Sequence, residues 1–557
     1  MYASRTKAEA VEPSTLPEEE DKNHFPLDFV RGNYRKYLLP LVIYLLIALI
    51  VFWPVTLNIT TVVAASTGGS GLAGGDLFQN LWSLWWVDYA IFNLHISPYF
   101  THLLFYPVGA NLVTETLSPL AGLFSLPLQS VNLAFAFNFI LFMDLTLSGF
   151  FMFLLADYVI KNKYGAFIAG AIFAFSPFHL SHTLAGQSNW IGIEFVPLFI
   201  LFFLLMIRDK KIKILSVFGC AISMVLVTFF GDPEEGIVSL VCISLLLLIK
   251  LLSSEGREEI LSKRFLISVL SVAVLALIIG SPFLIPIIYG IMHGALAMAN
   301  AASSLVNNMV WSTPLLSFFL PSPVNNFFST FSNSYYSIYA IDSVERIGYI
   351  GWVAICLILI AVFRDAKNRF RNAALWIILL AFFAWLSTGP YLQIGALPQQ
   401  FDPRTSLPGV YLLYGKIPIL NLIREPSRFN LIVTLCVAIL AGFGFKEAIT
   451  LMKNRPISNR KHFVQYFTLF ITVLILTEYS GIPFSSIYID SNFLTIPRPG
   501  VYDQIANIPG NFSVMVLPIL TGATTRPYAY VGESMYFQTA FAKPILGGYA
   551  TNACSRV

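Results

Sequence analysis

Charged residues are scarce in this chain of 557 residues, because Asp, Glu, Lys and Arg together make up only 11% of it. Soluble domains usually carry about 25% charged residues. Hydrophobic residues account for 56% of the chain, and the mean hydropathy is +0.72. We therefore expect a polytopic membrane protein. The net charge of +4 gives no reason to expect a nucleic-acid partner, because the basic residues are spread over short loops.

Cysteine is also rare, and the 5 cysteines show neither a disulfide framework nor the spacing of a zinc site. Four of them fall inside apolar runs and are expected to be small buried hydrophobic residues, namely Cys220, Cys242, Cys356 and Cys436. The sequence contains no Walker A loop, no glycine-rich dinucleotide fingerprint after a strand, no nucleophile elbow and no His-Glu-x-x-His motif. These absences argue against the common soluble-enzyme sites.

Eleven apolar runs are long enough to cross a bilayer, for which a helix needs roughly 20 residues. They lie at about 38–57, 133–159, 164–180, 189–207, 214–230, 236–253, 265–289, 347–363, 373–389, 429–446 and 464–484. A shorter apolar run at 117–131 contains Pro119 and Pro127. It predicts either a re-entrant or interfacial helix or one half of an additional hairpin.

The distribution of basic residues orients these spans. No Lys or Arg occurs between Lys36 and Lys161, and most of the 34 fall in alternate loops. The positive-inside rule then places the N-terminus in the cytosol and the C-terminus outside the plasma membrane. The predicted domains are a disordered cytosolic tail at 1–36, a transmembrane domain at 37–485 with a large first outer loop at 58–132, and an extracytoplasmic domain at 486–557.

The segment 486–557 changes in composition, and the alternation of Phe512–Leu517 predicts a β-strand. It is short for an independent core and stops without a closing element, which is compatible with a fragment of a longer protein. The fold class is thus an all-α membrane protein with a small outer α/β or β segment.

Asp76 follows Gly74 and Gly75 just after the first span, and an aromatic helix is predicted after it. Trp82, Trp85 and Trp86 share one face of that helix, so we expect it to lie flat in the membrane interface. Asp76 could act as a general base toward an acceptor hydroxyl or bind a divalent cation. The alternative is an acidic residue that only stabilises the helix N-terminus.

Two further outer segments concentrate titratable side chains. The turn Asp232-Pro233-Glu234-Glu235 places three carboxylates within four residues, so they must be solvated, paired with basic groups or bound to a cation such as Mg²⁺ or Mn²⁺. His179 and His182 follow the break at Pro177 and are candidates for metal or phosphate binding, or form a plain interfacial pair.

Basic and acidic residues near the spans supply the remaining candidates. Arg424 and Arg428 flank Pro426 at the mouth of a span. Their guanidinium groups suit phosphate oxygens, but they could equally pair with Glu425 or another outer carboxylate, or anchor the helix at the lipid headgroups. Asp144 lies within the second span, where a carboxylate is a functional candidate unless it pairs with a polar group in the bundle.

Together these segments resemble the GT-C superfamily of membrane glycosyltransferases, which includes protein O-mannosyltransferases, the lipid A aminoarabinose transferase and oligosaccharyltransferase catalytic subunits. The resemblance covers most of the chain from about residue 38. It is carried by Gly74–Asp76 with Trp82–Trp86, Leu104–Pro107, Ala174–His182, Arg424–Phe429 and Lys543–Tyr549.

The resemblance implies inverting transfer of a sugar from a polyprenyl-phosphate donor to a glycan, lipid or protein acceptor on the extracytoplasmic face. It implies Asp76 as the catalytic carboxylate and Asp232, Glu234 or Glu235 as the analogue of metal ligands. From the residues themselves we expect the leaving phosphate to be stabilised by Arg424, Arg428, His179, His182 or a cation at the acidic turn. The sequence Asp-Pro-Glu-Glu departs from a clean Asp-x-Asp, and no Trp-Trp-Asp motif occurs in the outer domain, which argues against peptide N-glycosylation. The alternative functions are a transporter or flippase of lipid-linked saccharides and an inactive GT-C scaffold.

Overall fold

The structure is a computed structural model. It describes residues 35–65, 75–113, 115, 117–188, 192–292, 305–323, 325, 327–336, 344–366, 373–395, 406–414, 416–417, 423, 425–452, 460–481, 493–496, 500–517 and 527–548. The chain divides into two compact units, Met1–Leu39 and Pro40–Val557. Of the first unit only the start of one helix is described, and the account below concerns the second. The predicted cytosolic tail at 1–36 lies almost entirely outside the described residues.

Helices dominate the described residues. In chain order they are α1 Arg35–Val51, α2 Trp53–Leu57, α3 Gly75–Asp88, α4 Pro119–Gln129, α5 Leu133–Ile160, α6 Lys163–Ala174, α7 Pro177–Leu184, α8 Phe195–Arg208, α9 Ile214–Phe229, α10 Pro233–Leu251, α11 Ser254–Ile260, α12 Lys263–Met292, α13 Leu305–Val310, α14 Ser329–Tyr336, α15 Trp352–Ala366, α16 Ala374–Ser387, α17 Tyr411–Tyr414, α18 Asn430–Met452, α19 Arg460–Ser480, α20 Val501–Asn507 and α21 Pro527–Phe541. Short 3₁₀ turns occur at Leu315–Phe318, Val344–Arg346 and Pro426–Phe429, and a π-turn at Tyr89–Asn93.

Every predicted span overlaps a helix or a pair of helices among the described residues. By length and composition, five described helical stretches are long and apolar enough to cross a membrane: Leu133–Ile160, Lys163–Leu184, Lys263–Met292, Pro426–Met452 and Lys461–Ser480. Shorter apolar helices occupy most of the other predicted positions. The helical membrane architecture is therefore confirmed, whereas the count of eleven spans and their orientation stay predictions. The run at 117–131 forms α4, and its re-entrant placement also stays a prediction.

Helices α5, α6 and α18 form the buried centre of the bundle, where small residues allow backbones to approach closely. A Cβ atom at Gly165 of α6 would lie 2.4 Å from the carbonyl oxygen of Gly442 in α18. By contrast, α12 carries a largely exposed apolar surface, with Leu270 and Ile278 more than half exposed. Such an all-apolar exposed helix is typical of a lipid-facing element.

The tryptophan face of the aromatic helix α3 is covered by α21. Trp82 and Trp86 stack with ring centroids 5.6 Å apart and are almost completely buried. The Trp82 Nε1 group donates a hydrogen bond of 2.8 Å to Gln538 of α21. The shared face is confirmed, and Trp82 and Trp86 form a protein core. The position of α3 in the membrane interface stays a prediction.

Strands are few in the described residues. Strand β1, Val62–Ala64, pairs antiparallel with β4, Phe493–Thr495, and β2, Phe100–Thr101, pairs with β3, Ala110–Asn111. The strand predicted at Phe512–Leu517 is wrong, because only Val514 forms a bridge, to Ile545. This segment and α21 pack onto the first loop. The described cysteines are unpaired thiols, of which Cys356 is exposed rather than buried as expected.

Candidate active site

Asp76 lies in the first turn of α3, and a neighbouring turn after α7 holds it in place. The side chain of Gln187 donates a hydrogen bond of 2.8 Å from Nε2 to Asp76 Oδ2. Asn80, one turn along α3, donates from Nδ2 to the carbonyl oxygen of Gly186 over 3.0 Å. Gly186 has a φ of +76°, and a Cβ there would lie 2.5 Å from Leu77. The two segments therefore meet at a distance that only glycine permits.

The same glutamine connects Asp76 to His182. Gln187 Oε1 lies 2.5 Å from His182 Nδ1. An amide oxygen only accepts hydrogen bonds, so Nδ1 of the neutral imidazole must carry the proton. The imidazole, the amide and the carboxylate thus form one hydrogen-bonded chain that fixes the direction of the Asp76 carboxylate. Sequence analysis assigned no role to Gln187.

The environment of Asp76 disfavours its charged form. Burial of the carboxyl group raises its pKa above the ordinary value, although part of the residue remains accessible. The hydrogen bond from Gln187 and the positive charge of Arg428 lower this pKa, whereas the negative charge of Glu425 raises it. A carboxyl group with a raised pKa is a better proton acceptor than an exposed aspartate once it is ionised.

Arg428 forms the centre of a buried ion-pair cluster beside Asp76. Its Nη1 lies 2.6 Å from Glu234 Oε2, and its Nη2 forms an ion pair with Glu425. The Arg428 side chain is only 8% exposed. The next residue toward the N-terminus, Ser427, donates a hydrogen bond of 2.6 Å to Glu345 Oε2. Three segments far apart in sequence are therefore tied together at the start of α18.

Glu345 is a second carboxyl group with a perturbed pKa in this cluster. Burial raises its pKa, and the negative charge of Asp76 raises it further. The positive charge of Arg428 and the hydrogen bond from Ser427 lower it. Because the charge of Asp76 acts on Glu345, the two groups belong to one electrostatic neighbourhood. The sequence alone assigned no role to Glu345.

The three carboxylates of the acidic turn have different surroundings. Asp232 Oδ1 accepts the backbone N–H of Glu234 over 2.9 Å and so caps α10, while Glu234 is paired with Arg428. Glu235 is completely buried beside Gly231. Among the described residues, no group of three or more His, Cys, Asp or Glu side chains has the arrangement needed to hold a metal ion. The residues of this turn, as arranged here, do not fit a divalent cation.

His179 lies deeper in the bundle than the other candidates. Its Nε2 is 2.7 Å from Asp144 Oδ2, and both side chains are completely buried. Ser148 also donates to the Asp144 carboxylate, over 3.2 Å. Asp144 therefore has the polar partner that was considered as the alternative to a direct functional role. His179 is one helical turn before His182, so this pair fixes the helix that presents His182 to Gln187.

The structure thus brings together Asp76, His182, Glu234 and Arg428, with Asp232 and Glu235 on the same short turn. His179 sits behind them, and Arg424 lies outside the described residues. The catalytic, phosphate-binding and metal-binding roles of these residues stay predictions. The groups that sequence analysis left without a role are Gln187, Glu345 and Ser427. A signal for Glu345 was its position among the few carboxylates of the predicted outer face.

The helical bundle with an acidic residue in the first turn of α3 has counterparts among solved structures. No protein-family model and no curated protein matches the sequence. Among solved structures, the chain resembles the oligosaccharyltransferase of Archaeoglobus fulgidus tethered to an acceptor peptide containing the NVT sequon, with a TM-score of 0.52, 11% identity, and coverage of 94% of this chain and 65% of the other.

Two further solved structures extend this comparison. The same archaeal oligosaccharyltransferase in complex with Zn and sulfate gives a TM-score of 0.51, 12% identity, and coverage of 91% and 62%. ArnT from Cupriavidus metallidurans bound to undecaprenyl phosphate gives a TM-score of 0.42, 11% identity, and coverage of 90% and 85%. The chain spans somewhat less than two thirds of the length of the oligosaccharyltransferase. At these identities the oligosaccharyltransferase matches establish the fold.

Proposed function

We propose that this chain is a membrane glycosyltransferase that moves a sugar from a polyprenyl-phosphate donor to an acceptor on the extracytoplasmic face. The observation that carries the proposal is the position of Asp76, a carboxylate with a raised pKa that is oriented by Gln187 and lies beside the Arg428 cluster. The likeness to an oligosaccharyltransferase fold supports it. The sugar, and whether the acceptor is a glycan, lipid or protein, are not part of the proposal.

The proposed reaction is a single displacement with inversion. Asp76 accepts the proton of the acceptor hydroxyl while the hydroxyl oxygen attacks the anomeric carbon of the donor sugar. The bond between that carbon and the phosphate oxygen breaks, and polyprenyl phosphate leaves with the electron pair. The new glycosidic bond and the protonated Asp76 complete the balance of the step.

The charge that develops on the leaving phosphate needs nearby positive or hydrogen-bonding groups. We assign this role to Arg428 and to Arg424, which stands four residues before it in the sequence, while the neutral His182 orients Gln187. His179 acts from behind, by holding α7 through Asp144. A divalent cation is plausible for this fold, since one matched crystal structure contains Zn. In this chain the acidic turn is engaged by Arg428, and no step of the proposal uses a metal.

The test is incubation of the purified protein with radiolabelled polyprenyl-phosphate sugars and a panel of acceptors. Glycosidic product and free polyprenyl phosphate should appear together in equal amounts, with the anomeric configuration inverted. In liposomes, movement of the intact donor across the bilayer without bond formation would instead establish the flippase alternative. If the protein neither transfers nor moves any donor, the inactive scaffold is the alternative that remains.

A further inference from the structure

The Arg428 guanidinium occupies the centre of a group of carboxylates that come from four separate segments. It makes ion pairs with Glu234 and Glu425, and it also interacts electrostatically with Glu345 and Asp232. The positive charge of Arg428 also lowers the pKa of Asp76. Buried carboxylates that lie close together repel one another, so those that stay ionised need a cation among them.

The geometry of the pairing fits a guanidinium better than a metal ion. Glu234 and Glu425 each direct a carboxylate oxygen to a different terminal nitrogen of the guanidinium. A planar guanidinium binds two carboxylates through its fork, whereas Mg²⁺ or Mn²⁺ would need about six oxygens at 2.0–2.2 Å around one point. The described residues offer no such convergence, because Asp232 caps α10 and Glu235 lies beside Gly231.

The chain also builds Arg428 firmly into this place. The 3₁₀ turn Pro426–Phe429 is buried and leads directly into α18, one of the two most enclosed candidate spans among the described residues. Ser427 ties the same turn to Glu345. The backbone N–H of Ser427 donates over 3.1 Å to the carbonyl oxygen of Trp311. The guanidinium is therefore held by its backbone as well as by its ion pairs, as a built-in cation would have to be.

We propose that Arg428 occupies the place of a divalent cation in this site, so that its guanidinium supplies the positive charge and the reaction requires no metal. Only the claim that the reaction requires no metal rests on the proposed transfer function. The claim that Arg428 and a metal ion compete for the same carboxylates concerns binding alone, so it is testable without any donor or acceptor.

The decisive experiment measures Mn²⁺ binding to the purified full chain, using the electron paramagnetic resonance signal of free Mn²⁺. Arg428→Gln removes the charge and releases Glu234 and Glu425, so we expect Mn²⁺ to bind at least tenfold more tightly than to the unaltered protein. Arg428→Lys keeps the charge and should show no such gain. Arg364→Ala breaks a distant ion pair, with Glu447, and serves as the matched control.

Two results would overturn the proposal. One is that the unaltered protein binds Mn²⁺ and that Glu234→Gln abolishes this binding. The other is that a folded Arg428→Gln variant binds Mn²⁺ no more tightly than the unaltered protein. A second measurement covers the case in which Arg428→Gln fails to fold. The unfolding temperature of the unaltered protein should not change on addition of EDTA or Mn²⁺. A decrease with EDTA that Mn²⁺ restores in the unaltered protein, but not in Glu234→Gln, would refute the built-in cation.

Transfer activity then separates this inference from the proposed function. Full transfer after exhaustive chelation supports the claim that the reaction requires no metal. Transfer that depends on added Mg²⁺ or Mn²⁺ overturns this claim. If the protein shows no transfer with any donor, the proposed function fails while the Mn²⁺ result still decides whether Arg428 and a metal compete for the same carboxylates.

Discussion

Replacing Asp76 with Asn tests the site most directly, because the two side chains have nearly the same volume. Asparagine still offers an oxygen to the Nε2 group of Gln187, so the hydrogen bond of 2.8 Å can be retained. The variant loses only the ability to accept a proton. General-base catalysis contributes roughly 10²–10⁴-fold to a rate, which corresponds to about 2.7–5.4 kcal/mol of activation free energy. We expect transfer to fall by at least that lower factor.

The same substitution should not destabilise the fold. Because burial raises the pKa of Asp76, the folded state favours its protonated form. The resulting loss of stability is absent below the pKa of the unfolded chain and grows as the pH rises through the folded pKa. At neutral pH, Asp76→Asn removes this cost. We therefore expect an unfolding temperature equal to or above that of the unaltered protein, with the difference vanishing in acid.

The assay is release of radiolabelled polyprenyl phosphate from the donor, together with thermal unfolding of the same preparations. Asp88→Asn is a matched control, since Asp88 ends the same helix and is also a carboxyl group whose pKa burial raises. The control should keep normal transfer. Near-normal transfer by Asp76→Asn would refute the base assignment, and equal losses in both variants would point to a general effect on α3.

Three further predictions concern the surroundings of Asp76 and the bundle. Gln187→Leu removes a hydrogen bond that lowers the pKa of Asp76, so the acid limb of the pH–rate profile should move to higher pH. Arg428→Ala leaves buried carboxylates without their cation and should lower the free energy of unfolding by about 3–5 kcal/mol, as measured by denaturant titration. Gly165→Ala should cost about 1–3 kcal/mol by thermal or denaturant unfolding, because its Cβ would meet backbone at 2.4 Å.

Controls and contrary outcomes follow from the same contacts. Asn111 lies outside the site, so Asn111→Leu should leave the pH profile unchanged, and an unshifted profile for Gln187→Leu would show that its amide does not act on Asp76. Arg364→Ala should cost less than 1 kcal/mol, as expected of a partly exposed pair. Gly500→Ala should be neutral, because nothing lies within 4 Å of its Cβ position. A neutral Gly165→Ala would contradict the close helix crossing.

The sequence predicts the helices well because the thickness of the hydrocarbon layer imposes a length on each apolar run. It also singles out Asp76 as a candidate site residue, since few other carboxylates occur near the first predicted span. It does not predict the burial of Trp82, because the partner helix lies 456 residues away at Gln538. For the same reason the sequence could not predict that Arg428 pairs with the distant Glu234 as well as with the nearby Glu425. Both pairs form, and only the fold brings the distant one into range.

The contact between Trp82 and Gln538 makes the order of synthesis matter for this protein. A ribosome adds about 5–20 residues per second, so the separation of 456 residues corresponds to roughly 20–90 s of translation. During that interval the helix that carries Asp76 has already emerged, but the helix that covers its aromatic side does not yet exist. The newly made chain must shelter those rings in lipid or on a chaperone. The aromatic face of α3 is covered only after α21 has been made.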